Sequence, residues 1–139
     1  MGRKHKRRPL TPLEMEIMKV LWEENPATVQ TVQEKLPGAP RLAYTTVQTM
    51  LNVLHRKGKV RRTLRGRAFE YMPAVTREKA IGVAIRDIID RLFGGSAESL
   101  VMNLVENRNL DPEKLAGLTQ LIEGHRDSEA RKEAKHGNH

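Results

Sequence analysis

The residues best suited to chemistry in this chain lie between Tyr44 and Gly58, where short polar side chains recur at helical spacing. With 3.6 residues per turn, an apolar stripe falls on one side of a helix and consists of Val47, Met50, Leu51 and Leu54. The opposite side carries Thr45, Thr49, Asn52 and Arg56, with Gln48 at its edge. The residues expected to read bases are Thr45, Thr46, Gln48, Thr49 and Asn52. A helix face that only meets water more often carries Glu and Lys, whereas Thr, Asn and Gln match the donors and acceptors of base edges. The pattern therefore predicts a helix that packs with one face and reads bases with the other.

A basic hairpin is predicted directly after this helix. Gly58 is expected to end the helix as a cap with positive φ, and two strands over 59–64 and 67–71 then flank Arg65-Gly66 as a two-residue turn. The cations expected to hold phosphates are Arg56, Lys57, Arg62, Arg65 and Arg67. A helix followed by a basic hairpin indicates a winged helix-turn-helix. The alternatives are a solvated helix over an ordinary core and an edge hairpin that is protected by charge.

The distribution of charge favours a polyanionic partner. The net charge of the 139 residues is +8, of which residues 1–73 carry +9 and residues 74–139 carry −1. From Arg41 to Arg67 there are eight Lys or Arg residues and no Asp or Glu. A charge that served only solubility would be spread evenly, so the basic segment is interpreted as the footprint of a nucleic acid.

Composition excludes several other classes of protein. The chain has no cysteine, which excludes disulfides, cysteine zinc sites and thiol redox chemistry. No apolar run approaches about 18 residues, so we expect no membrane insertion and a cytoplasmic location. The five histidines have neither an acid cluster nor a glycine-rich phosphate loop beside them, so no enzyme activity, cofactor or metal site is expected.

The elements that position the predicted recognition helix begin after a flexible basic arm at residues 1–9. Thr11 is predicted to cap the first helix in a capping box with Glu14, and Trp22 is expected to anchor its core face. Thr28 caps a short second helix, which a Pro/Gly turn separates from the third. Residues 10–73 are therefore predicted to form the winged helix-turn-helix domain.

In the remaining chain, the residue pattern predicts a helical dimerisation domain over residues 74–126 and a disordered tail over 127–139. About 50 residues in three helices would form a poor core in a single chain, so a second copy is expected to cover their apolar faces. The residues assigned to this interface are Ile81, Ile85, Ile88, Leu92, Leu100, Leu104, Leu118 and Leu121. The predicted fold class is mainly α with a small β-hairpin.

This layout resembles the penicillinase-repressor family (BlaI/MecI), with the copper-responsive CopY repressors as relatives. The matching segments are Leu10 to Trp22, Thr45 to Leu54, Lys57-Gly58 with the hairpin, and Leu100 to Glu106. The resemblance implies a bacterial repressor that binds operator DNA as a dimer. It also implies a membrane sensor that responds to a β-lactam and triggers proteolysis at a bond that falls here at Asn103-Leu104.

Two departures from the family bear on this expectation. Leu104 stands where the family usually has Phe, and an apolar stripe at this spacing is also what a buried dimer helix requires. The cysteine-rich tail of CopY-type members is absent, which excludes copper sensing by thiolates.

Taken together, the residues and the resemblance predict a homodimeric, sequence-specific repressor of transcription on a palindromic operator. The rival interpretation is a non-specific architectural DNA-binding protein or an RNA-binding protein. Base-specific binding through the Thr, Gln and Asn face distinguishes the two, because phosphate contacts carry no sequence information.

Overall fold

The computed structural model describes residues 8–38 and 40–136, so most of the predicted basic arm at 1–9 lies outside the described residues. The elements occur in the order α1 (Pro12–Glu23), α2 (Val29–Lys35), α3 (Tyr44–Arg56), β1 (Val60–Arg65), β2 (Ala68–Pro73), α4 (Arg77–Leu92), α5 (Ala97–Glu106) and α6 (Pro112–His136). The two strands pair antiparallel. The mainly helical fold with a small hairpin, a winged helix-turn-helix followed by further helices, is confirmed.

Helix α1 begins where the sequence predicted. The Glu14 amide donates to the Thr11 hydroxyl at 3.2 Å, and the Thr11 amide donates to Glu14 Oε1 at 2.8 Å, which completes the capping box. Trp22 packs against the core as predicted, and it also makes a hydrogen bond outside it. It is only partly buried, and its indole N–H donates to the Val75 carbonyl at 2.9 Å, so it connects α1 to the segment before α4.

The core of the N-terminal part lies between α1, α2, α3 and the hairpin. Helix α3 contributes the fully buried Val47, Leu51 and Leu54, as its apolar stripe predicted. Tyr71 of β2 is 1% exposed, and its backbone exchanges two hydrogen bonds with Ala27, in the loop before α2, at 2.8 and 3.0 Å. These bonds fix the hairpin against the helices.

The end of α3 is set by Gly58, as predicted. The Lys59 amide donates to the Leu54 carbonyl at 2.9 Å and the Gly58 amide to the His55 carbonyl at 3.0 Å. This pair of bonds is a Schellman motif, which needs a left-handed residue, and Gly58 has φ of 75°. The hairpin therefore leaves the recognition helix in a defined direction.

The hairpin turn lies one residue later than predicted. Arg65 pairs with Ala68, so the two turn residues are Gly66 and Arg67 rather than Arg65 and Gly66. Gly66 has φ of 63°, so the glycine occupies the first central position, and Arg65 gains a place in β1. Phe69 and Tyr71 share one face of β2 as expected, with their ring centroids 6.3 Å apart.

A buried ion pair joins the start of α1 to the end of α3. Lys57 Nζ lies 2.8 Å from Glu14 Oε2, and the Glu14 side chain is 1% exposed. Burial raises the pKa of Glu14, but the Lys57 ammonium and the hydrogen bonds of Thr11 outweigh it and hold the pKa below its ordinary value of 4.5. The carboxylate is therefore stabilised in its charged form.

The chain divides into two compact units, one ending at Arg91 and the other beginning at Leu92. The sequence placed this boundary at residues 73 and 74, before α4. Most of α4 instead belongs to the first unit, where Ala80 is 8% exposed. In the second unit, Ser96 caps α5 by accepting from the Ser99 amide at 3.1 Å, as predicted.

The predicted disordered tail is corrected by α6, which continues through Asp127 to His136. The segment is exposed throughout its described side chains, so no tertiary burial sustains the helix there. Its Ala, Glu, Lys and Arg residues have high helix propensity, and His125 lies 3.7 Å from Glu129 one turn later. Local propensity favours the helix, although the mixture of charges, Gly and His in this segment had predicted disorder.

We expect Glu14→Gln to lower the free energy of unfolding by about 2 kcal/mol at neutral pH, because it leaves the Lys57 ammonium partly buried without its partner. A depressed carboxyl pKa stabilises the fold above pH 4.5, and this contribution is lost as the pH falls through the folded-state value. The difference from wild type should therefore shrink on acidification, as measured by urea unfolding at several pH values.

Glu16→Gln is the matched control on the same helix. Glu16 pairs with Lys19 at 3.1 Å on the surface, where such pairs contribute under about 1 kcal/mol. Equal losses in the two variants, or a Glu14→Gln difference independent of pH, would contradict the importance of the buried pair.

Candidate nucleic-acid interface

The recognition face, defined here as Thr45, Thr46, Gln48, Thr49 and Asn52 of α3, is exposed along its whole length. The buried side of the same helix fixes its rotation, since Val47, Leu51 and Leu54 are inaccessible to solvent. Within the described part of the chain, the side chains of Thr45, Thr46, Gln48 and Thr49 have no hydrogen-bonding partner in the protein. Their donors and acceptors are therefore available to an external ligand.

Asn52 differs from the other four because the hairpin holds it. Arg62 Nη1 donates to Asn52 Oδ1 at 3.1 Å, and the Arg62 guanidinium lies 4.3 Å from the centroid of the Phe69 ring. A guanidinium only donates hydrogen bonds, so the amide oxygen must face it and the amide N–H groups remain free. Asn52 thus presents donors to a ligand, in an orientation that Phe69 and Arg62 support.

The sequence assigned Asn52 to bases and Arg62 to phosphates and did not connect them. They are ten residues apart, on α3 and β1, and come together only because the hairpin folds back beside the helix. Phe69 is 37% exposed and stacks with Arg62. The alternation of side chains along β2 determines which face of the strand Phe69 occupies, but it does not reveal the contact with Arg62.

The remaining predicted phosphate ligands lie at the surface, with one exception. Arg56 is exposed in the last turn of α3 and Arg67 is exposed in the hairpin turn. Arg65 lies 3.2 Å from Glu70, but its side chain is 74% exposed, so the pair is open to exchange with an external anion. Arg61, which the sequence did not include in this set, is also exposed on β1.

Lys57 is the exception, because a carboxylate of the protein already engages it. Its ammonium is engaged by the buried Glu14 carboxylate, and its side chain is only 28% exposed. Reaching a phosphate would require breaking a pair that also supports the capping box of α1. The structure gives Lys57 a role in joining α1 to α3.

The predicted interface residues of the C-terminal half are largely exposed in this single chain. Ile85, Ile88 and Leu92 on α4 are 45%, 42% and 73% exposed, and Leu118 and Leu121 on α6 are 44% and 70% exposed. Ile81, Leu100 and Leu104 are partly buried. Asn103 is exposed on α5 and accepts hydrogen bonds from the Asn107 amide group at 2.9 and 3.0 Å.

Neither a metal site nor a membrane-spanning helix is formed by the described residues. Across residues 8–38 and 40–136, no three His, Asp or Glu side chains are grouped so that they could hold a metal ion. No helix among these residues is long and apolar enough to cross a bilayer.

Comparison with known proteins gives one consistent result. A family model described as "Penicillinase repressor" matches residues 10–124. The penicillinase repressor of Bacillus licheniformis is 31% identical over 117 residues, which are 84% of this chain and 91% of that protein. The transcriptional regulator BlaI of Mycobacterium tuberculosis (strain H37Rv) is 32% identical over 120 residues, 84% of this chain and 87% of that protein. A solution structure of B. licheniformis BlaI, monomeric and in complex with the blaP half-operator, is 30% identical with a TM-score of 0.43, covering 50% of this chain and 84% of that one.

We expect Arg67→Ala to weaken binding to duplex DNA of random sequence and to reduce the slope of log K against log salt by about 0.9, the value for one lost phosphate contact. Lys57→Met should leave this slope unchanged while lowering the thermal midpoint, because Lys57 is engaged by Glu14. Fluorescence anisotropy at several salt concentrations measures both slopes. A slope reduced by Lys57→Met and not by Arg67→Ala would reverse our assignment of the two residues.

Proposed function

Because the chain belongs to the penicillinase repressor family, we propose that it is a DNA-binding repressor of transcription that acts as a homodimer on a palindromic operator. The observation that carries this proposal is the recognition face of α3, which is exposed beside a hairpin rich in arginine and whose polar side chains, apart from the Asn52 oxygen held by Arg62, have no partner among the described residues. The curated relatives are named as repressors and regulators of transcription, not as enzymes. The proposed target would place the protein in the bacterial cytoplasm.

Base reading is proposed for Thr45, Thr46, Gln48, Thr49 and Asn52. An α-helix fits the major groove of B-DNA, where each base pair presents a distinct set of donors and acceptors. The Arg62 bond to Asn52 Oδ1 supports a narrower assignment, because the remaining amide N–H groups can only donate. Asn52 would then select a base with a major-groove acceptor, such as purine N7, guanine O6 or thymine O4, over cytosine.

Phosphate binding is proposed for Arg56, Arg62, Arg65 and Arg67, while Lys57 is omitted for the reason given above. No Asp or Glu lies between Arg41 and Arg67, and this absence of acidic residues supports the assignment of the exposed guanidinium groups at the hairpin turn. Such contacts would fix the register of α3 in the groove without reading sequence.

Dimerisation is proposed through α4, α5 and α6. The supporting observation is that no residue from 92 to 134 is buried in the single chain, although this segment contains Leu100, Leu104, Leu118 and Leu121. Helices without a buried core are only marginally stable alone, so a second copy of the chain is the simplest cover for these side chains. A symmetric dimer would place two recognition helices in successive major grooves about 10 base pairs apart, or a multiple of that distance.

Relief of repression by proteolysis at Asn103-Leu104, through a membrane sensor protease system, is retained as a proposal from the family resemblance. Asn103 is exposed, and α5 has no buried residue, so local opening of this helix would cost little free energy. The test is mass spectrometry of the protein from β-lactam-treated cells, which should contain pieces that end at Asn103 and begin at Leu104. Intact chain in induced cells would exclude this route.

The experiment that tests the function is selection of bound sequences from a random DNA pool at physiological salt. A palindromic product bound at least ~10³-fold more tightly than scrambled DNA is expected. No enriched sequence, together with one common salt slope, would favour the architectural or RNA-binding alternative.

Asn52→Ala should weaken operator binding by about 1–3 kcal/mol and relax the preference at one base pair, with little effect on random DNA. Gln48→Ala should behave in the same way at a different base pair. Gln120→Ala, which changes an exposed polar residue of α6, is the control. Competition binding on operators substituted at each position measures the change, and equal losses on operator and random DNA would count against base reading.

Ile88→Asp should convert the dimer to monomer, because it places a charge on the exposed apolar stripe of α4. Arg86→Asp is the matched control, since Arg86 is an exposed charged residue two positions away on the same helix. Sedimentation equilibrium gives the mass of each variant. A dimer that persists in Ile88→Asp would mean that the interface uses another face.

A further inference from the structure

A cavity of about 240 Å³ lies within the N-terminal unit, beside the C-terminal end of α3. Its walls come from residues before α1, from the Lys57 to Lys59 segment after α3, from Val75, and from the first half of α4. Pockets that hold drug-sized molecules have roughly 300–1,000 Å³. This cavity therefore suits a smaller molecule, and neither the recognition face nor the predicted dimer interface uses it.

The charged groups on the cavity walls have one sign. Four of the ten lining residues are cationic, and none is acidic: the cations are Arg8, Lys57, Lys59 and Lys79. The Glu14 carboxylate lies close by and pairs with Lys57, so it offsets one of these charges. The walls consequently retain an excess of positive charge, which a bound anion would offset.

Lys59 shows the electrostatic consequence of this arrangement. Lys59 is 8% exposed, and burial lowers the pKa of its ammonium group. The neighbouring charges of Lys57 and Lys79 lower this pKa further, whereas the Glu14 carboxylate raises it. Cations that lie close together in a partly enclosed site repel one another, and a bound anion would offset this repulsion.

The rest of the wall is aliphatic. Val75, Ala80 and Val83 line it together with Leu10, and Ala80 is 8% exposed. An inorganic anion would make no use of this surface and would leave it in contact with water. An amphipathic ligand with one charged end and a short hydrocarbon body satisfies both parts of the wall.

We propose that this cavity binds a small aliphatic carboxylate, with its carboxylate beside Lys59 and Lys79 and its hydrocarbon chain against Val75, Ala80 and Val83. A carboxylate matches the lysine ammonium groups, and its single charge requires less desolvation than a phosphate dianion. Binding at this site is a property of the free protein and does not depend on the DNA-binding function proposed above.

The test is an NMR titration of the full-length protein with hexanoate, without DNA. Hexanoate should produce saturable shifts of the Ala80 and Val83 methyl signals and of the Gly58 amide signal. Hexanamide, which has the same hydrocarbon body without the charge, should bind at least about tenfold more weakly, because the charge-assisted hydrogen bonds are lost.

Two variants test the placement of the carboxylate. Lys79→Glu should weaken hexanoate binding at least about tenfold, and a glutamate near the start of α4 remains compatible with the helix. Arg77→Glu makes the same change of charge nearly opposite on the same helix, away from the lining residues, and should retain binding. An absence of saturable shifts, equal binding of hexanamide, or equal weakening in both variants would overturn the proposal.

Discussion

The Glu14 carboxylate is the group on which the geometry of the DNA-binding unit depends. One of its oxygens accepts from the Thr11 amide at the start of α1, and the other holds Lys57, which directly follows the recognition helix. A single buried side chain thus connects the start of α1 to the end of the recognition helix α3. The pair lies where α3 ends and the hairpin begins, so it also affects the direction in which the hairpin arginines leave the helix.

The surface that follows from this arrangement combines two kinds of recognition. The exposed hydroxyl groups of Thr45, Thr46 and Thr49 are on short side chains, so ordering them against the proposed base edges would cost less conformational entropy than ordering Gln48. The hairpin supplies charge, and through Arg62 it also restrains one of the amide side chains. Phe69 links this restraint to Tyr71 and so to the core. The hairpin therefore does more than add positive charge beside the helix.

Much of this fold follows from local signals in the sequence. The capping residues Thr11, Thr28 and Ser96, the glycine at 58 and the apolar stripe of α3 act over one or two helical turns, and each lies where it was predicted. The errors lie where contacts span longer separations or where competing local preferences are close in energy. The pairings of Glu14 with Lys57 and of Asn52 with Arg62 depend on the packed fold.

The two local errors have different causes. The hairpin turn shifted by one residue because glycine can serve at either central position, and strand pairing decides between them. The tail was expected to be disordered because it mixes charges with Gly and His, yet the helix propensity of its Ala, Glu, Lys and Arg residues favours the extension of α6 through it. The residues of the recognition face were predicted from type and spacing, whereas the restraint on Asn52 depends on the folded hairpin and could not be predicted.

Among the described side chains from 92 to 134 none is buried, and this also affects how the amount of protein in the cell controls its binding. If the second unit gains its core only by association, then folding of that unit, pairing of the chains and occupancy of two half-sites all depend on chain concentration. Occupancy would then rise more steeply than in proportion to the amount of protein. A modest fall in synthesis or a modest increase in degradation would be enough to release the regulated genes, and a modest recovery would silence them again.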